Sequence, residues 1–308
     1  MVKTIVSTAL PIDERLLIKK NVWTHGDGKK RLCIVTGTHG DELEGQYVCF
    51  RMNDILRKHI DKLNGTVEIY PALNPLGIDS IMRGIPGFDL DMNRIFPGDP
   101  DGSMAENAAY QILHDLKGAD MVLDIHASNI FLREVPQVRI NINTADRLVP
   151  YARLLNIDFI WVHDAATVLE ATLAHSLNSL DTPTLVVEMG VGMRINHRMG
   201  ERLMTGILNL MHEMGIWEDA VEPYLISQPI VSVGDSVTFL NAEASGVFLT
   251  DIKNNIIVDE GEEIGRIVSS LTGEVLKSVV SPVHGFLFTI RAYPIVYEGS
   301  LLARIHHL

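Results

Sequence analysis

Basic residues are scarce in this chain. Its 308 residues carry 26 lysines and arginines against 39 aspartates and glutamates, a formal net charge of −13. Phosphate backbones are drawn to basic faces, so no nucleic-acid partner is expected, and any anionic ligand needs a local cluster of cations. Cysteine is scarcer still, with only Cys33 and Cys49. Two thiols exclude a disulfide scaffold and a cysteine-based zinc site. Both lie in apolar segments and read as reduced core residues, which suits a cytoplasmic chain. No apolar run approaches the roughly 20 residues of a membrane-spanning helix. Residues 1–12 are mildly apolar but break at Pro11 and run into Asp13-Glu-Arg, with no small-residue cleavage site after them. Neither a membrane span nor a signal peptide is expected. The chain also lacks a repeat of fixed period and any low-complexity tract; nothing in it excludes a homo-oligomer.

What is present is an ordinary balance of 46 % apolar and 21 % charged residues, in a chain long enough for two domains. The stretch Thr36-Gly-Thr-His-Gly-Asp-Glu-Leu-Glu-Gly45 organises the first of them. The apolar run Leu32 to Val35 enters it, and Tyr47, Val48, Met52, Ile55 and Leu56 leave it at helical spacing. This predicts a strand, a glycine turn and a helix over residues 40–60, with His39 and Glu42 sharing a face of the helix's first turn. An imidazole and a carboxylate converging there are two of the three protein ligands of a His₂Glu catalytic zinc site. With twelve histidines, about one His-x-x-Glu arises by chance, so the motif needs company. Its place at the C-terminal end of a buried strand strengthens it, because open α/β sheets build sites there.

Further strands are predicted over 65–71, 121–126, 137–142, 159–162 and 184–188, and helices over 105–116, 146–155 and 203–214. Their alternation indicates an α/β domain with a largely parallel sheet. Between them, residues 84–102 form a long Gly-, Pro- and Asp-rich stretch of a kind that is usually functional, and it holds Asn93 and Arg94, with Arg83 just before it. The character changes near Glu222-Pro-Tyr224, after which short apolar runs are separated by turns with no helical period. The expected domains are therefore 1–224, α/β and catalytic, and 225–308, all-β.

Three elements give the motif company. Asp124-Ile-His126 ends a buried strand, so His126 can be the third ligand if that strand neighbours the first, with Asp124 behind it. Taken alone, such a histidine is more often a hydrogen-bonded core residue. Glu188 also ends an apolar strand; a carboxylate there is either paired with an arginine or chemically employed, as the base that takes a proton from activated water. Arg83, Asn93 and Arg94 offer donors for a carboxylate and for a developing oxyanion, unless the arginines pair with Asp89, Asp91 or Asp99.

In this order Gly37-Thr-His-Gly-Asp-Glu42, Gly45, Asn74-Pro-Leu-Gly77, Arg83, Asp91-Met-Asn-Arg-Ile-Phe-Pro-Gly98, Asp124-Ile-His126 and Val187-Glu-Met-Gly190 resemble the zinc-dependent succinylglutamate desuccinylase/aspartoacylase family, related to the zinc carboxypeptidases. The resemblance covers about residues 32–192. It implies one zinc per chain on His39, Glu42 and His126, Glu188 as general base and acid, and Arg83 as the oxyanion partner. It further implies Asn93 and Arg94 on the substrate α-carboxylate. The implied fold is a carboxypeptidase-like mixed sheet flanked by helices, followed by a smaller barrel-sandwich-like β domain. The implied activity is hydrolysis of a small N-acyl amino acid.

The sequence departs from the family where members acting on aspartate or glutamate derivatives carry a tyrosine and an arginine. Here Val168-Leu-Glu-Ala-Thr-Leu-Ala-His-Ser-Leu177 has neither, and His175 is the nearest polar candidate for that place. A neutral or basic amino acid fits as well as an acidic one. Residues 258–267 and 281–287 look like two halves of a biotinyl-type hairpin barrel. Its tip, Leu271-Thr-Gly-Glu274, lacks the carrier lysine, so a structural barrel is expected. Two other readings stand beside the deacylase: a metallocarboxypeptidase acting on small peptides or cell-wall fragments, and a non-catalytic binding protein on the same fold.

Overall fold

A computed structural model of the chain describes all residues except 89, 165–169 and 221–225. The expected domain boundary at 224/225 lies outside the described residues, as do Asp89 and the first two residues of the 168–177 stretch. In chain order the α/β part runs β1 (Val2–Ala9), β2 (Arg15–His25), β3 (Arg31–Thr36), α1 (Glu44–Lys58), β4 (Gly65–Tyr70), α2 (Pro75–Ser80) and α3 (Met104–Leu116). It continues through β5 (Met121–Ala127), β6 (Leu132–Asn141), α4 (Ala145–Ala152), β7 (Phe159–His163), α5 (Leu173–Ser179), β8 (Thr184–Gly190) and α6 (His197–Glu213).

The sheet is mixed rather than largely parallel. Its centre, β4-β3-β5-β8, is parallel, while β2 joins β4 and β6 joins β8 antiparallel. Helices cover both faces, so these strands read as continuous apolar runs whose alternate residues go to opposite layers. Leu32 and Ile34 of β3 pack with α1 and α6, whereas Cys33 and Val35 pack with α3 and α5. Cys33 and Cys49 are buried and unbridged. The alanine-rich face of α3 is buried as its spacing predicted, and Ser103 and Glu106 close a capping box at its start. Among the described residues, no helix is long and apolar enough to cross a membrane.

The β-rich C-terminal part joins the same sheet. Strand Gly285–Arg291 pairs with β6 through Thr289↔Glu134, beside the stretch of β6 that pairs with β7. Strand Leu301–His307 lies next to it. A separate four-stranded sheet holds the hairpin whose tip carries Leu271, 94 % exposed, and no lysine. Lys277 is held by Glu243 instead.

Candidate metal centre and its cavity

Three parallel strands end side by side, and the site sits on those ends. Leu32↔Met121 sets β3 against β5, and His126↔Glu188 sets β5 against β8, so His126 and Glu188 are direct neighbours on one face. His39 and Glu42 lie in the turn after β3, and α1 begins only at Glu44. The turn brings them together, rather than a shared helical face. It closes with the Glu42 amide donating to the His39 carbonyl at 3.4 Å. The turn is braced by the Asn74-Pro-Leu-Gly77 segment, where the Asn74 side chain caps α2 by accepting from the Gly77 amide. Backbone meets backbone so closely that a Cβ on Gly40 would lie 2.0 Å from the Gly77 carbonyl carbon. Gly40→Ala must therefore displace the His39 turn. Metal affinity is expected to fall by at least about tenfold, the scale on which outer supports of metal ligands act. Competition with a chromophoric chelator measures it.

The two imidazoles point inward with the same nitrogen. His39 Nδ1 meets Glu42 Oε1 at 2.8 Å, and His126 Nδ1 meets Glu42 Oε2 at 2.8 Å. The outward nitrogens face carboxylates, His39 Nε2 at 2.9 Å from Asp91 Oδ1 and His126 Nε2 at 3.2 Å from Asp124 Oδ1. Both Asp124 oxygens and His126 Nε2 are buried without a well-aligned hydrogen bond. All three candidate ligands are buried, and their donor atoms lie within 4.8 Å of one another.

Three carboxylates thus surround two imidazoles, and the electrostatics follow. Burial opposes charge on His39 and His126, but Asp91 and Glu42 raise the first and Asp124 and Glu42 raise the second. Burial also works against the Glu42 anion, yet His126 and His39 hold its pKa well below the usual range. Such a cradle favours positive charge at its centre. A His₂Glu donor set with a carboxylate behind each imidazole is the arrangement that binds zinc in open, catalytic sites.

Glu188 stands beside this centre with its side chain 14 % exposed, and Arg139 Nη1 lies 3.2 Å from Oε1. Burial raises its pKa to about 7, against the pull of Arg139. A carboxylate poised there is suited to take and return a proton near neutrality. Arg139 also donates through Nη2 to both oxygens of Glu134 at 2.9 Å, and Arg304 from the last strand reaches Glu134 at 2.5 Å.

Arg83 donates to Glu42 Oε1 at 2.9 Å and lies 3.3 Å from Asp91, so one of its expected acidic partners is the observed one. Asn93 is buried, and its Oδ1 accepts from the Leu173 amide, which leaves Nδ2 to donate elsewhere. Arg94 is exposed and donates to the Asn93 carbonyl. All seven expected residues, His39, Glu42, Arg83, Asn93, Arg94, His126 and Glu188, line one cavity of about 420 Å³. His175 lines it too.

The sequence reading missed Glu134, Arg139, Arg304 and the role of Asp91 behind His39. For Arg139 there was a signal. Arg139 and Asn141 alternate with buried Val138 and Ile140 along β6, and polar side chains at alternate positions of a covered sheet point to a site.

Residues 28–214 match the succinylglutamate desuccinylase/aspartoacylase catalytic domain. The chain is similar to an N-α-acetyl-L-2,4-diaminobutyric acid deacetylase of Halomonas elongata, 25 % identical over 303 residues, covering 94 % of this chain and 81 % of that protein. Its fold is similar to the product-bound ectoine utilization protein of Ruegeria pomeroyi, with a TM-score of 0.82, 20 % identity, and coverage of 98 % of this chain and 93 % of that one. It is likewise similar to a succinylglutamate desuccinylase/aspartoacylase of Rhodobacter sphaeroides, with a TM-score of 0.84, 21 % identity, and coverage of 99 % and 95 %.

Proposed function

The chain belongs to the succinylglutamate desuccinylase/aspartoacylase family, and on that premise we propose that it is a zinc-dependent hydrolase of the amide bond in small N-acyl amino acids. The observation that carries the reading is the convergence of His39 Nδ1 and His126 Nδ1 on Glu42, with Glu188 next to His126 across the β5–β8 ladder. When held by His39, Glu42 and His126, zinc supplies a positive charge that acidifies water and polarises a carbonyl. Glu188 takes the proton from water as its oxygen adds to the acyl carbon. Arg83, at the mouth, faces the oxygen on which charge develops. Glu188 then delivers the proton to the leaving nitrogen as the C–N bond breaks, giving a carboxylic acid and a free amino acid. Asn93 Nδ2 and Arg94 hold the α-carboxylate.

The reading includes one zinc per chain, a cytoplasmic location, a catalytic part over residues 1–224 and a β domain over 225–308. A cavity of only about 420 Å³ with Arg304 of the last strand in its wall favours single acylated residues over peptides. Turnover of N-acetyl and N-succinyl amino acids by zinc-loaded protein is expected, at kcat/KM above that for dipeptides. No hydrolysis of any member of such a panel overturns the proposal.

A pH dependence follows from the Arg139 contact. Removing that guanidinium takes away the charge that opposes the burial-driven rise at Glu188. The base form then appears only at higher pH, so the acid limb of the kcat/KM profile moves upward in Arg139→Met relative to the parent. Profiles from pH 5 to 9 check this; an unmoved limb removes Arg139 from control of Glu188.

A further inference from the structure

The walls of the cavity say which amino acid it takes. Resting on the hydrolase reading above, we propose that the substrate's side chain is uncharged and hydrogen-bonding, an amide or a hydroxyl, rather than acidic or basic.

The carboxylate clamp and the base fix the frame. Asn93 is tied to the start of α5 through the Leu173 amide at 2.9 Å. From there Ala174, His175 and Asn178 present one helical face to the cavity. Beside the ligand triad, β8 carries Glu188, Val186 and Thr184 on the same face, retreating about 6.6 Å per two residues. Ile140, Asn141, Asn143, Thr144 and Leu148 close the far wall. A molecule held by its carboxylate at Asn93 and by its amide at Glu188 has this chamber as the space for the remaining substituent on Cα.

Among the described residues, the carboxylates and guanidiniums of the cavity wall are already paired or sit in the clamp. Among the described residues lining the cavity, the carboxylates are Glu42, Glu134 and Glu188. Glu42 belongs to the ligand triad, Glu134 is gripped by Arg139 and Arg304, and Glu188 faces Arg139. Of the arginines, Arg83 is paired with Glu42 and Asp91, Arg139 and Arg304 are paired as above, and Arg94 sits in the clamp. An ammonium or carboxylate entering the chamber would give up part of its water and find no unpaired counter-ion among the described residues, which is costly.

Hydrogen-bonding capacity is present, however. Asn178 is locked, donating to the Thr184 carbonyl and accepting from the Thr184 amide, and so serves as rigid wall. The Asn143 amide and the His175 imidazole line the cavity with no hydrogen bond from their side chains to any described residue. A purely aliphatic side chain would offer these groups no partner, and a site that hydrogen-bonds a substrate group favours it over the analogue that lacks it.

The test uses the full chain loaded with zinc and measures kcat/KM for N-acetyl derivatives of four kinds. They are asparagine, glutamine, serine and threonine; aspartate and glutamate; 2,4-diaminobutyrate and ornithine; alanine and leucine. The best of the first group is expected to exceed the best of each other group at least tenfold. A preference for an acidic, basic or aliphatic member overturns the inference while leaving the hydrolase reading in place. Turnover of none removes both. Asn143→Asp, at an exposed position, is expected to raise the ratio of basic to neutral turnover at least tenfold. An unchanged ratio overturns the placement of the side chain against that wall.

Discussion

Glu188→Gln is expected to lower kcat by about 10²–10⁴-fold, the usual worth of a positioned acid–base group, while zinc stays at one per chain and KM changes little. The amide keeps the size of the carboxylate and its contact with Arg139 Nη1, now 3.2 Å away, so the wall of the cavity survives. What it cannot do is accept a proton. Glu188 is not among the three groups whose donor atoms converge within 4.8 Å, so its replacement leaves the ligand set whole. Metal analysis beside steady-state kinetics reads both halves of this outcome. Full activity in the variant would assign the base elsewhere, and loss of zinc would make Glu188 part of the ligand set.

The second large effect belongs to His126. His126→Ala is expected to bring zinc content from one per chain to near zero after dialysis, and activity with it. The loss should exceed the roughly 10–100-fold that follows removal of a group merely supporting a ligand. The variant also strips Glu42 Oε2 of its 2.8 Å partner and leaves Asp124 facing an empty space. Because Glu42 and Asp124 are both fully enclosed, the variant could unfold for that reason alone. His126→Asn keeps a polar group there and serves as the control. Zinc should raise the melting temperature of the parent, since a ligand at about 1,000 times its Kd adds roughly 4 kcal/mol. Neither variant should respond. A variant that binds zinc as tightly as the parent would exclude His126 from the centre.

His39, Glu42, His126 and Glu188 were legible in the sequence because each stands where an apolar run stops, and the ends of parallel strands are where α/β sheets expose side chains. The joint between β3 and α1 was legible in outline only. Helical spacing from Tyr47 onward suggested a helix reaching back over Glu42, whereas packing of Gly40 on Gly77 holds His39 and Glu42 in a turn ahead of it. The Glu188–Arg139–Glu134–Arg304 chain was out of reach, since Glu134 and Arg304 lie 170 residues apart and meet only because strand 285–291 joins β6. The same pairing extends the central sheet into the β-rich part. Local alternation sets which face of a strand is apolar, but not which other strand it joins.

Anomalous diffraction at the zinc edge, from crystals of the zinc-loaded chain, tests the centre most directly. One peak is expected among His39 Nδ1, His126 Nδ1 and the Glu42 carboxylate, with Glu188 beside it and not bound to it. A peak held by other residues, or none at this position in zinc-saturated protein, contradicts the proposed metal centre and the hydrolase built on it.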